Sequence, residues 1–492
     1  MNDSNIVSVY APLRWGLPAS AIRELGQRLH IFWHRFCTDF KTKTRNTSQY
    51  ACHYMEGQLL MEGRRNFSNI ASHTKVSGQN MQHFMSNSPW SAQVVIRQVQ
   101  NEIAATPSLE KDGMLILDES ADKKSGTKSA GAGRQYNGRL GKVEMSQVGT
   151  FLAYANGSVW TWVDGELYLP REWFISEMVE MRKQLGIPSE KRFETKIELG
   201  WKMINRAKAK GFPVQAVSCD TLYGQSTWFR ANLRAAEITY MAEVKGNTKV
   251  YLTQPKVEVP ESNSRRGRKP TKPRAVSKEK TLKVCDLRHR KDTMWRRVRT
   301  RSTERGELED EFAARRVWTI HDGVPVEEWL VIRREENGRC TYALSNAPAD
   351  SSFERLAWLK CQRYFVERAN QEAKSEMGWD ELQAQKYLAW EHHLALTILA
   401  TWFIAQTKLE WEKEYERDPT LMEQFEVEVL PALSVANVRT MLQAAMPLHK
   451  LTPEEAAKLV AKHLVRRTRS RKSRIRNKKK THVKLPNVTL SR

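Results

Sequence analysis

Two apolar runs in this 492-residue chain, Met114–Leu117 (MLIL) and Val214–Cys219 (VQAVSC), each stop at an aspartate, Asp118 and Asp220. In an open α/β sheet, ligands bind at the carboxyl ends of strands. Two such ends side by side would hold two carboxylates close together, a repulsive arrangement that a bridging divalent cation relieves. Magnesium suits it, because it takes a few carboxylates plus water and phosphate oxygens. Two such ions could serve an in-line phosphoryl displacement. A further acid comes from RYFVERANQEAK, where Arg363, Glu367 and Lys374 fall on one face of a helix. Glu367 can complete a metal site while the two cations hold a DNA backbone, with Glu372 and Glu376 as rivals for the acidic role. Acids at strand ends also serve solubility, and an i,i+4 Arg–Glu pair is commonly a solvated salt bridge. The pairing of the aspartates, and what flanks them, favours chemistry.

The segment after Asp118 carries glycines at 126, 131, 133, 138 and 141, interleaved with Arg134, Arg139 and Lys142. That composition suits a loop in which backbone and cations approach phosphate.

These residues resemble a family. DES-x4-SGT-x3-G-x-GRQYNG-x2-GK-x4-QVGTFLAY looks like the first catalytic block of bacterial insertion-sequence transposases of the DDE superfamily, and CDTLYG resembles the block around their second aspartate. R-x3-E-x6-K (Arg363, Glu367, Lys374) is similar to the helix signature of the branch with a β-strand insertion domain. The spacing of that signature selects Glu367 over its rivals. The signature often has Tyr three residues before the Arg, and here Lys360 stands there.

The resemblance implies a ribonuclease-H-like core and a metal-dependent DNA strand-transfer enzyme using Asp118, Asp220 and Glu367 on two Mg²⁺ ions, for which Mn²⁺ can substitute. Water would cut at a transposon end and the freed 3′-hydroxyl would attack target DNA. The implied partners are double-stranded DNA, at transposon ends and target, and further copies of the chain, as a homodimer or higher oligomer. In related enzymes an aromatic of the insertion stacks on a displaced base, a role open here to Trp295, Trp318 or Trp329, with Trp329 the first choice. The alternatives are a nuclease that cuts without joining, and an inactive transposase-derived DNA-binding protein.

The elements that must position these residues form an α/β chain. Ser146–Ala155 alternates like a strand, Asn156-Gly157 is a hairpin signal, and Val159–Leu169 reads as the returning strand. Helices are expected over Trp173–Leu185, Lys196–Lys210 and Gln225–Ala235, and a further strand over Ile238–Val244. Strand-like runs recur at Trp295–Arg301, Arg316–Ile320, Glu327–Arg333 and Cys340–Ser345. Residues 1–105 read as a helical DNA-binding domain. Within it, 64–90 has the spacing of a helix-turn-helix or of two small core helices, and Gln79, Asn80, Gln82 and His83 are outward candidates for base edges.

The remaining divisions are the first part of the core (106–246), a β-rich insertion with a basic linker (247–350), core helices carrying the Glu (351–418), a helical region (419–464) and a basic tail (465–492), expected to be disordered until it meets a polyanion.

Lys and Arg number 80 against 56 Asp and Glu, a net +24. Residues 264–301 and 466–480 hold all but one of those net charges. Two dedicated polyanion contacts on a nearly neutral body point to nucleic acid. The longest apolar run, Leu394–Ala405, is too short to span a bilayer, so no membrane is expected. The N-terminal residues show no secretory pattern, and the six cysteines form no C-x-x-C pair, so a reducing cytoplasm is expected, and the resemblance implies the bacterial cytoplasm, on the nucleoid.

Overall fold

The computed structural model describes residues 19–74, 76–110, 113–138, 140–156, 159–259, 271–276, 280–303, 306–414 and 434–446, with 465 and 472. Contacts divide the chain into Met1–Met446 and Pro447–Arg492. In the second unit only 465 and 472 are described, so the expected basic tail lies outside the described residues, as does most of the basic linker.

A ten-stranded mixed sheet runs through the first unit. Its centre is β1 (Met114–Lys123), which pairs antiparallel with β3 (Lys142–Ala155) and parallel with β5 (Ala216–Cys219). Outside β3 lie β2 (Gly133–Asn137) and β4 (Trp160–Leu167); outside β5 lies β6 (Thr239–Val244), parallel to it. The order β4-β3-β1-β5-β6, with β3 alone reversed, is that of a ribonuclease-H-like core. The apolar runs explain it: Met114–Leu117 and Ala216–Cys219 are buried on both faces, as central parallel strands must be.

The β-rich segment continues this sheet. β7 (Arg296–Thr303), β8 (Gly306–His321), β9 (Val324–Arg334) and β10 (Cys340–Ser345) form an antiparallel meander, and β10 pairs with β6. The strand-like runs of the sequence overlap all four, although Arg316–Ile320 covers only the last part of β8; the pairing partner of β10 is a tertiary fact.

Two expectations need correction. The helix expected over Trp173–Leu185 is confined to Val179–Gln184, preceded by 3₁₀ turns at Arg171–Phe174 and Ser176–Met178, because Ile175 is extended (ψ 161°) and breaks the run. The glycine-rich stretch after Asp118 is largely ribbon: β1 runs on to Lys123, and β2 and β3 make a hairpin, so Asp118 does not end its strand.

The helices pack on both sides. The early ones are α1 (Leu25–Phe36), α2 (Ser48–Leu60), α3 (Phe67–Ser72), α4 (Gly78–Asn87) and α5 (Ala92–Ala104). Side-chain caps start α3 and α4: Asn66 accepts from the Asn69 amide and Ser77 from the Asn80 amide. Met81, Phe84 and Met85 are buried, while Gln79, Asn80, Gln82 and His83 are exposed.

α6 (Lys196–Ala209) begins with a Thr195–Glu198 capping box and lies on β1, where a Cβ at Gly200 would stand 2.4 Å from Leu117. The short α7 (Thr221–Gly224) and α8 (Thr227–Ala235) link β5 to β6. α9 (Phe353–Cys361) and α10 (Tyr364–Ser375) follow the meander.

α11 (Tyr387–Glu414) contains the Leu394–Ala405 run and is buried almost all round, as expected of a helix apolar on every face. Its His392 ring nitrogens face the carbonyls of Met85 and Trp90, each at 3.0 Å, and His393 meets Tyr54 and the Trp379 carbonyl. α12 (Val435–Ala445) closes the described unit. Among the described residues no helix is long and apolar enough to cross a membrane.

Candidate active site

Where the parallel pairing of β1 and β5 ends, at Leu117 and Cys219, the next residue of each strand is an aspartate. Ligand oxygens of Asp118, Glu119 and Asp220 all lie within 4.8 Å of one another. The group contains two of the expected acids. Its third member, Glu119, was missed, although it directly follows Asp118 in the DES block. One Glu119 oxygen, Oε2, is buried without a hydrogen-bond partner; the other lies 3.5 Å from Lys196 Nζ. Asp220 also caps α7, accepting from the Leu222 amide at 2.9 Å.

The electrostatics follow from crowding. Burial raises the Asp118 carboxyl to about 8, with Asp220 and Glu119 adding to the rise and Arg363 opposing it. Burial and Glu119 raise Asp220 to about 6 against the pull of Arg363. Buried Tyr223, on α7, is pushed far above the usual phenol range by burial and the same three acids.

Helix α10 crosses the site with one face. Arg363 lies 3.2 Å from Glu243 of β6, a charge contact without hydrogen-bond geometry, and donates to Glu367 Oε1 at 2.7 Å. Asn370 Nδ2 donates to Asp118 Oδ2 at 3.2 Å. Lys374 donates to the Ala121 carbonyl at 3.0 Å and pairs with Asp122 at 2.9 Å. Glu367 is therefore not among the clustered acids. Its side chain is 58% exposed and turned to Arg363. Asn370, seven residues after Arg363, continues the face of Arg363 and Glu367, so the spacing that flagged those two also contained it. Lys360, in the place of the family's Tyr, is buried and ion-paired with Glu243.

The remaining candidates spread outward. Arg134 and Lys142 are exposed on the β2–β3 hairpin, with Lys142 paired to Glu144 at 2.8 Å; Arg139 lies outside the described residues. Trp329 donates to the Pro348 carbonyl and carries Arg316 on its ring at 5.0 Å; Trp295 carries Arg334 at 4.1 Å and packs on the core under the meander; Trp318 is half-buried.

Clustered acids where the parallel β1/β5 pairing ends make a candidate site on a ribonuclease-H-like fold. The sequence model of a family described as DDE superfamily endonuclease matches residues 35–307, more than half of the chain, and the chain belongs to that superfamily. It is also similar to a probable transposase for insertion sequence element IS701 from Microchaete diplosiphon, with 29% identity over 175 residues. The match covers 34% of this chain and 41% of that relative. The superfamily is therefore that of the DDE endonucleases, and the chain spans less than half the length of the transposase it resembles.

Proposed function

We propose that the protein cuts DNA at transposon ends and joins the freed 3′-hydroxyl to target DNA, with Asp118 and Asp220 as the principal ligands of a divalent cation, Mg²⁺ first. The observation that carries this reading is the three-acid cluster where the parallel pairing of β1 and β5 ends. The residues fit a hard cation: the ligands are all carboxylate oxygens, and one is buried with nothing to bond. When bound, the ion supplies polarisation of the scissile phosphodiester and a reactive oxygen at neutral pH. The protein's own groups do the rest. Asn370 orients Asp118. Arg363 sets a fixed positive charge beside both aspartates, placed to meet a phosphate. Lys374 anchors β1. Glu367 is the further acid of the site, held one helical turn from Arg363. A dimer or larger assembly on DNA would bring two ends together.

The test is cleavage and joining of supercoiled DNA with Mg²⁺, comparing wild type with Asp118→Ala, Asp220→Ala and Glu367→Ala. Loss of both products in the aspartate variants, with DNA binding retained, is expected. Undiminished cutting in all three variants overturns the reading. Cutting without joined product in the wild type reduces it to an endonuclease.

A further inference from the structure

A polar groove that the acid cluster does not use lies between the outer face of α4 and the segment Leu382–Lys386. Gln79, Gln82 and His83 line it from the helix, and Gln383, Gln385 and Lys386 from the segment. The segment alternates. Leu382 and Ala384 are buried in a small apolar cluster with Ala389, against which Phe67 packs, while Gln383 and Gln385 are exposed. Leu382 is extended (φ −61°, ψ 119°). At about 3.3 Å per residue, an extended chain sets alternate side chains ~6.6 Å apart. Two base-pair steps span about 6.8 Å. On the helix, Gln79, Gln82 and His83 stand at i, i+3 and i+4 and share a face. None of the four glutamines, nor His83, has a side-chain hydrogen bond among the described residues.

The two walls are fixed to each other and to the catalytic strand. The Arg65 amide donates to Glu381, Lys386 donates to Asn87 of α4, Lys124 donates to the Leu382 carbonyl at 3.3 Å, and the Ala130 amide donates to the Gln385 carbonyl at 2.8 Å. Next to this groove, Gln383 and Gln385 also line a second one, with Arg64, Lys123, Lys124 and Lys128. Asp380 and Glu381 line it too, and the excess of cations over these two acids suits phosphates. Unpartnered amides, each donor and acceptor at once, suit base edges, since glutamine pairs two-point with adenine. A partner recognised by charge alone would call for cations where the amides stand.

We propose that Gln383 and Gln385 read bases of duplex DNA two base pairs apart, forming with α4 one recognition surface built from both ends of the unit. This rests on DNA being the substrate. It assigns sequence reading to a segment just before the buried helix α11, not to the early helices alone.

The experiment is selection of bound duplexes from a random-sequence pool, without divalent metal, by wild type, Gln383→Ala/Gln385→Ala and Asp118→Ala. Wild type and Asp118→Ala should enrich the same motif. The double glutamine variant should lose preference roughly ten- to hundred-fold at two positions two base pairs apart, with affinity for unselected duplex changed less than about twofold. A second variant, Gln383→Glu/Gln385→Glu, should lose the same positions, and its circular dichroism should match wild type. An unchanged motif in both glutamine variants overturns the proposal, and so does a wild type that enriches no motif. Plasmid cleavage with Mg²⁺ is read separately, so failed base reading is distinguished from failed chemistry.

Discussion

Two groups of acids in the same sheet, one half-buried and one fully buried, have opposite surroundings. In the first, Asp118, Glu119 and Asp220 crowd together, and burial raises both aspartates, Asp118 to about 8 and Asp220 to about 6. In the second, Glu328 of β9 is completely buried, yet it is held down at about 2. Burial alone would raise it. Arg230 of α8 at 3.2 Å, His321, and hydroxyls from Thr319 and Tyr240 more than offset that. Arg230 also donates to the Gly224 carbonyl, so the second group fixes the end of the turn that Asp220 begins. A carboxylate buried for structure brings its own cations and donors with it. The three clustered acids share Arg363, Lys196, the Asn370 amide and the Leu222 amide, and both aspartates stay raised all the same, which suits the cluster to a further positive charge. The contrast, rather than burial itself, marks the site.

The sharpest way to break this comparison is to neutralise one acid of each group. Asp118→Asn should lower metal-dependent DNA cleavage by at least ~10³-fold while leaving the thermal midpoint equal or higher, because repulsion is relieved. Glu328→Gln should do the reverse in stability. Leaving Arg230 buried without its counter-charge should cost ~3–5 kcal/mol in urea unfolding. Similar stability losses in both variants would erase the distinction.

The next largest effect is at the hinge between the groups. A Cβ at Gly224 would lie 1.9 Å from the Glu243 carbonyl oxygen, a backbone atom that cannot step aside. Gly224→Ala should therefore destabilise by about 3 kcal/mol, read as a lower urea midpoint. Adding Mg²⁺ should stabilise wild type by ~2.7 kcal/mol at a hundredfold excess over Kd, read as a higher thermal midpoint, and Asp118→Asn/Asp220→Asn by much less.

A pH titration separates a third kind of buried group. Burial lowers His392 to about 4 and His393 to about 3. A depressed base is neutral in the fold and binds protons first when unfolded. Its contribution is thus complete above the ordinary value of 6.5 and is lost as pH falls from there toward 4 and 3. Stability followed by urea unfolding should decline over that window, by up to about 3 kcal/mol for His392, and His392→Gln should flatten it. The smallest effect belongs to the exposed cations. Arg134→Ala should leave stability within ~0.5 kcal/mol and reduce the salt slope of DNA binding by about 1, read by titration at several ionic strengths.

Much of the core was legible because local rules coincide with the fold there. Continuous apolar runs became the central parallel strands, β3 and β4 pair antiparallel as the hairpin signal between them required, and the strand-like runs overlap β7–β10. The misreadings have local causes. Ile175 breaks a run with helical composition, and the glycines after Asp118 sit in a ribbon whose pairing no short window shows. At the site, spacing gave the α10 face but not the direction of its groups. Glu367 turns to Arg363, and Asn370, an unremarked amide, touches Asp118.

Residue order by itself determined the composition of the strands, the two aspartates that follow their apolar runs, the helix face of Arg363, Glu367 and Lys374, and kinship to the DDE superfamily. Tertiary structure decided which acids share a space. Side-chain periodicity says which face a residue occupies, whereas the distance between residues 118 and 220 depends on β1 and β5 lying in parallel register. Register is set by the packing of the whole sheet, so the cluster and its contrast with Glu328 exist only once the chain has folded.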